Sequence, residues 1–218
     1  FNYRYNQANL PSDFPYLPVV GGILNESNYA ADKLYIYDDT DNRDSYQGDD
    51  WLVAAYAGLN IPVTNRLNVY AGVRFESNHM ALTNYTRFNE YLTKKNDYDQ
   101  NDLFPSVNVT YNIDSKQLLR FAYGKSINRQ EFREVSSSVY YDFDLFSDVK
   151  GNPDLRPAYI HNFDLRYEIY PSPAEMISVS FFYKNFRNPI EWTYLDAGGS
   201  YTYTFENAER ARNFGIEV

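Results

Sequence analysis

The 218-residue chain contains no cysteine, which removes disulfides, thiolate metal sites and cysteine nucleophiles at one stroke. Histidine is scarce: His79 and His161 lie far apart, and neither has a second histidine at ligand spacing, so both read as ordinary polar positions. Positive charge is in deficit, with 20 Lys and Arg against 29 Asp and Glu and a net charge of −9. That balance argues against nucleic acid as a partner. No run of about 18 apolar residues is present, so no transmembrane helix is expected. GxSxG, HExxH and glycine-rich phosphate loops are all missing, and neither an enzyme nor a cofactor site is expected. The chain opens on Phe1-Asn2-Tyr3 without an initiator Met or a signal-peptide pattern, and it closes on Gly215-Ile216-Glu217-Val218 inside a strand-like run. Both ends read as those of a piece of a longer protein.

What the chain does have is aromatic side chains: 23 Tyr and 15 Phe, with aromatics at 18%, in a sequence whose mean hydropathy is −0.60. The segment that organises the rest runs from Tyr159 to Ile190. Phe163, Leu165, Tyr167 and Ile169 alternate with Asn162, Asp164, Arg166 and Glu168. After Pro171 and Pro173, Ile177, Val179, Phe181 and Tyr183 alternate mainly with Ser178, Ser180 and Lys184, and Phe182 breaks the pattern. Strict alternation puts the two sets on opposite faces of a pleated strand, and the prolines mark a tight reversal. The segment is therefore a hairpin with one apolar and one charged face. Its arms offer about ten alternating residues each, where globular strands hold about five or six and a tilted strand needs about 9–11 to cross a bilayer.

The pattern repeats. Residues 1–48 are irregular, with at most a short strand at Leu34-Tyr35-Ile36-Tyr37, and read as a loop and edge region; 49–218 reads as a series of hairpins. Val53, Ala55, Ala57 and Leu59 pair through a short link with Leu67, Val69, Ala71, Val73 and Phe75. Pro105, Val107, Val109, Tyr111 and Ile113 pair with Leu119, Phe121 and Tyr123. Short links fall near 61–66, 114–117 and 171–174. Long ones fall at Thr83–Asp102, Arg129–Pro157 and Trp192–Asn207. Short periplasmic turns and longer extracellular loops are the signature of outer-membrane barrels, whereas a soluble sheet has no reason to sort its connections. The expected fold is all-β: an antiparallel transmembrane β-barrel, present as about seven or eight strands.

From Ser126 to Ile190 the chain resembles the barrel of TonB-dependent receptors of the Bacteroidetes type. The runs that carry this are SINRQEFREVSSSVYYDF, VKGNPDLRPAYIHNFDLRYEIYPSPAEMISVSFFYKNFRNPIE and ERARNFGIEV, with FPSVNVTYNIDSKQLLRFAYGKSINR upstream. Gly151-Asn152-Pro153-Asp154-Leu155 is the most specific stretch, and residues 1–48 add nothing. The resemblance implies a barrel of about 22 strands in the Gram-negative outer membrane. It implies energy-coupled ligand uptake with no chemical catalysis, driven by a periplasm-spanning TonB-type protein that grips a plug region this sequence lacks. The implied partners are outer-membrane lipid, that coupling protein and a small ligand: a siderophore, a glycan or a peptide. The alternatives from the residues alone are a small passive outer-membrane barrel or adhesin, and a soluble β-rich glycan-binding module that buries Val69, Val73, Phe163 and Phe181.

No side chain is singled out for catalysis, cofactor binding or metal binding. The acidic stretch Asp38, Asp39, Asp41 and Asp44 has calcium-like spacing but lacks the glycine and distal glutamate of a calcium loop, and reads as a solvated turn. Arg74, Glu76, Arg120, Asp164, Arg166 and Glu168 are expected to face the lumen and to pair with one another. Tyr140, Tyr141, Phe143, Tyr201 and Tyr203, in the outer loops, offer stacking surfaces that suit glycans, peptides or planar chelates about equally. Trp51 and Trp192 are expected at the outer ends of strands as interface anchors.

Overall fold

The computed structural model describes residues 2–5, 26, 34–37, 45–86, 89–196, 198–199 and 201–218. A short antiparallel pair comes first, β1 (Asn2–Tyr5) with β2 (Leu34–Tyr37). The acidic stretch 38–44 lies outside the described residues. The wall of the protein is built from β3 (Tyr46–Pro62), β4 (Leu67–Thr86), β5 (Asn89–Asn112), β6 (Gln117–Asn128), β9 (Ala158–Ile169), β10 (Ile177–Arg187) and β13 (Arg210–Glu217). These seven strands pair in the order β13-β10-β9-β6-β5-β4-β3, every pair antiparallel. Strand neighbours in the sheet are thus neighbours in the chain, as in an up-and-down barrel wall.

Register carries the two-faced pattern across all seven strands. Partners in an antiparallel ladder share a face. Val53, Phe75, Leu103, Phe121, Leu165, Val179, Phe181 and Ile216 lie on one face and are exposed. Glu76 with Asp102, Arg120 with Arg166 and Glu168 with Ser178 share the other. A soluble sheet buries such an apolar face, and here it is bare across the whole wall.

The three short turns are tied to one another. Thr64 Oγ1 accepts from the Arg66 and Leu67 amides, and the Asn112 amide donates to Arg66 O across to the next turn. Asp114 Oδ1 accepts from Lys116 N at 2.7 Å and Gln117 N at 2.9 Å, the side-chain turn that makes aspartate a turn former. The Tyr170 amide donates to Lys116 O at 2.8 Å. One end of the wall is therefore a laced row of tight turns.

The other end differs from the sequence reading. Thr83–Asp102 is not a loop: β4 runs on to Thr86 and β5 starts at Asn89, with pairing continuous except for one irregularity between Asn84 and Thr86. A ladder needs only backbone groups, so this projecting hairpin persists where its alternation is no longer apolar against polar. The Arg129–Pro157 break holds a helical turn, α1 (Phe132–Val135), and two strands, β7 (Val139–Asp142) and β8 (Ser147–Lys150). The Trp192–Asn207 loop is a hairpin of β11 (Ile190–Asp196) and β12 (Tyr201–Asn207), turned at Gly198 and Gly199, both at positive φ. These four strands form a second sheet, β11-β12-β8-β7, with β12 and β8 parallel. It packs on the projecting part of β4 and β5, so the three long connections form one folded module.

The module's core takes one or two residues from each of five segments: Met80 and Leu82 from β4, Val135 from α1, Val149 from β8, Leu155, and Phe205 from β12. Trp192 belongs to this module rather than to a strand end at the membrane interface, its ring centroid 4.5 Å from that of Phe205. Phe182, the residue that breaks the alternation, lies on the charged face opposite Gly215 of β13, whose missing side chain leaves the space its ring fills. Gly215→Val is expected to displace that ring and destabilise the β10–β13 edge by about 1–3 kcal/mol. Urea unfolding in detergent, with a conservative Gly215→Ala variant alongside, measures it; equal midpoints would refute the packing role.

Candidate functional site

Along the charged face the side chains form ion clusters at two heights. Near the short turns, Glu168 is 4% exposed and sits between Arg120 and Arg166, with Oε1 at 3.2 and 3.0 Å from their Nε atoms. The Tyr170 hydroxyl donates to Glu168 Oε2 at 2.7 Å, and that bond to a carboxylate, followed by burial, pushes the Tyr170 pKa up. Arg120 and Arg166 are direct register partners, an arrangement that like charges tolerate only with a carboxylate between them. Nearer the module, Glu76 accepts from Arg74 Nε at 2.6 Å and from Arg129 Nη2 at 2.8 Å. Beside it Asp102 accepts from the Tyr159 hydroxyl at 3.2 Å and lies 3.9 Å from Lys125 Nζ.

Five of the six expected lumen residues thus fall into the two clusters, while Asp164 stands apart in register between Ala122 and Phe182. Arg129, Asp102, Lys125, Tyr159 and Tyr170 were not foreseen. Asp102 continues the alternation of β5 and was legible in principle; Arg129 follows the end of β6, where no period points to it. Replacing Glu168 with Gln leaves two guanidinium groups face to face. Because both are about half exposed, water screens them, and the expected loss is about 1–2 kcal/mol. Thermal unfolding in detergent reads it, and Arg120→Gln in the same background is expected to recover most of the loss.

The ladder between β5 and β6 ends at Ser106/Gly124 although both strands run on. Above that point side chains hold the wall together. Lys125 reaches across to Asp102 and lies over the rings of Phe104 and Tyr159. Higher still, the Tyr98 hydroxyl donates to Pro153 O at 2.8 Å. Burial, the largest influence, pushes the Tyr98 phenol up, which keeps the proton this bond uses.

Pro153 belongs to the stretch Gly151–Leu155, which acts as the module's clip. The Asn152 amide donates to Glu134 O, closing on the last turn of α1, and its side chain donates to Phe205 O of β12. Its Oδ1 accepts from the Asp154 amide. Leu155 enters the core, and Asn207 completes the tie by accepting from Arg156 N and donating to the carbonyls of Arg156 and Asn188. On the far side, Asn84 Oδ1 accepts from Ser136 Oγ and Ser137 N. At the helical turn the Glu131 amide donates to Glu134 Oε2 at 2.8 Å; burial nevertheless raises the Glu134 pKa.

The expected ligand-contacting aromatics divide. Tyr140 and Tyr203 pack against the module core, and Arg133 stacks over the Tyr140 ring. Tyr141, Phe143 and Tyr201 are exposed. Trp192 and Tyr194, missed as surface rings, are exposed beside Tyr201 and Tyr203 on the β11–β12 hairpin. The signal for them was present in the alternation Trp192, Tyr194 and Tyr201, Tyr203, Phe205.

A wall of long antiparallel strands, bare and apolar on one face and ion-paired on the other, is the wall of a transmembrane β-barrel. The chain belongs to the outer membrane protein beta-barrel family, whose sequence profile matches residues 3–218, and its place is the Gram-negative outer membrane. In such a barrel the apolar face meets lipid and the charged face meets the lumen. No curated protein matches the sequence. Among solved structures it is similar to the hemophore receptor HasR of Serratia marcescens, in complex with its hemophore HasA and heme. There the TM-score is 0.61 at 16% identity, over 78% of this chain and 31% of that one. It is also similar to the copper transporter OprC, with TM-score 0.58 and 12% identity over 78% and 26% of the two chains. A third is the ferric-catecholate import receptor Fiu of E. coli K12, with TM-score 0.55 and 12% identity over 78% and 25%. The chain thus spans about a third or less of the length of these structures, and at such identities the likeness is one of fold.

Proposed function

We propose that this chain is part of the wall and outer gate of a TonB-dependent receptor, which binds a ligand at the cell surface and passes it inward along the charged face. The observation that carries this reading is the joining of two parts. A lipid-facing wall lined with ion pairs runs directly into a folded outer module, pinned by the Gly151–Leu155 clip and bearing exposed rings. A passive pore has no need of a clipped module at its mouth. The fold likeness to proteins described as import receptors and transporters supports the reading, as does the resemblance of residues 126–190 to the receptor barrel. Energy would come through a periplasm-spanning coupling protein, and no covalent chemistry is asked of the chain; the family resemblance supplies this part. Uptake of a fluorescent ligand by cells making the protein tests it. Removing the coupling protein is expected to abolish accumulation and to leave surface binding intact. Accumulation that persists without coupling would mean a passive pore.

A further inference from the structure

The outer sheet has an edge that nothing covers among the described residues. In the order β11-β12-β8-β7, β11 pairs with β12 on one side only, which leaves a row of backbone donors and acceptors on the other. Edge strands are ordinarily blunted by lysine, proline or a bulge. Here the hairpin Ile190–Asn207 has no Lys, Arg or His, and its pairing from Ile190/Asn207 to Asp196/Tyr201 is without a bulge. Exposed Trp192 and Tyr194 line it, and with Tyr201, Tyr203 and Phe205 they make a continuous run of rings on one face, neighbouring centroids 4.5 to 6.4 Å apart.

The hairpin's own charge has one sign. The hairpin carries Glu191, Asp196 and Glu206. Glu191 and Glu206 are set directly opposite each other by the register, and among the described residues no cation lies within ion-pair distance of either. Like charges directly opposite are unfavourable until a counter-charge arrives. Asp196 shares the face of the rings and accepts from the Gly198 amide through Oδ1. Over 129–157 and 188–207 together, nine acids stand against four Lys and Arg. Two of those four are engaged, Arg129 with Glu76 and Arg133 over Tyr140.

We propose that the β11 edge binds an extended, lysine- or arginine-bearing peptide by strand addition. This rests on the receptor reading above and names the ligand class of its outer module. The backbone of the peptide would continue the ladder from β11. Its alternate side chains, spaced about 6.6 Å apart along a strand, would meet the rings at Trp192 and Tyr194, where ammonium and guanidinium groups are held by aromatic faces. Asp196, on the face of the rings, would supply their counter-charge, and Glu191 and Glu206 would meet the intervening side chains on the opposite face. Strand addition gives affinity through the backbone and specificity through alternate side chains. An anionic iron chelate finds no cation on this hairpin.

Calorimetric titration of the protein in lipid nanodiscs, without any energy source, tests this apart from transport. The probes are hexalysine, its fully acetylated form, hexaglutamate and maltohexaose. Hexalysine is expected to bind, about 10-fold more weakly after Trp192→Ala or Tyr194→Ala and about 3-fold more weakly after Asp196→Asn. Tyr194→Phe is expected to retain binding. Hydrogen exchange is expected to show the β11 amides newly protected. Equal binding of the acetylated peptide, preference for maltohexaose or hexaglutamate, affinity indifferent to both ring deletions, or β11 amides already protected by another segment would each overturn the proposal. Binding that meets these expectations alongside uptake that ignores the coupling protein would instead overturn the transport reading alone.

Discussion

Gly151→Ala is expected to release the outer module while leaving the wall folded. A Cβ at this position would overlap three backbone carbonyl oxygens, those of Ser136, Arg133 and Glu134, and backbone cannot step aside as a flexible side chain can. The Asn152 bonds to Glu134 and Phe205 depend on that close approach, so the substitution costs the clip as well as the packing. A loss of about 3 kcal/mol or more in module stability is expected, at the upper end of what overpacking does to a core. Limited proteolysis in detergent reads it directly. Cleavage should appear between residues 129 and 157, while strands β9 and β10 stay protected. Asn152→Ala, which removes the side-chain bonds without the overlap, should give a smaller effect of about 1–2 kcal/mol. A Gly151→Ala protein with the cleavage pattern of the parent would mean that the clip does not hold the module.

A second large effect is expected on the wall. Leu165 lies near the middle of β9 on the apolar face, in register with Phe121 and Phe181. Leu165→Arg places a charge in hydrocarbon and should destabilise the barrel by about 2–4 kcal/mol. Asn108→Arg, on the charged face in register with Ala122 and Tyr70, puts the same charge in the lumen and should change stability by under about 1 kcal/mol. Unfolding in lipid vesicles measures both. The difference between them is the decisive quantity, because a soluble fold would penalise or tolerate the two according to burial alone.

The wall was readable from sequence because lipid on one side and water on the other impose a strict alternation, and residues such as Val179/Ser180 and Leu165/Arg166 keep to it. The clusters around Glu76 and Glu168 followed from the same period, since charges of both signs on one face have only each other to meet. The outer module was not readable. Its core draws Leu82, Val135, Val149, Leu155 and Phe205 from five separate segments, and no local period encodes contacts at that range. Its strands β7, β8, β11 and β12 are four to seven residues long, each carries an acid and all but β8 carry tyrosine, which by composition alone looks like loop. Gly151-Asn152-Pro153-Asp154-Leu155 stood out as a signature, but its reason lies in three carbonyl groups of a neighbouring turn. Phe182 looked like an error in the alternation and is the partner of a glycine two strands' width of sequence away, at Gly215.

One face of the seven-stranded wall lies in lipid. Single cysteines carrying a polarity-sensitive label, placed in the protein in liposomes, address it. Leu165, Tyr167, Val179 and Phe181 make one set, and Ala122, Asp164 and Ser180 the other, all cysteine-free in background. The first set should report hydrocarbon and respond to lipid-soluble quenchers, and the second should report a polar lumen open only to aqueous quenchers. A first set that reports a dry protein interior, unchanged when the lipid is removed, would contradict the claim.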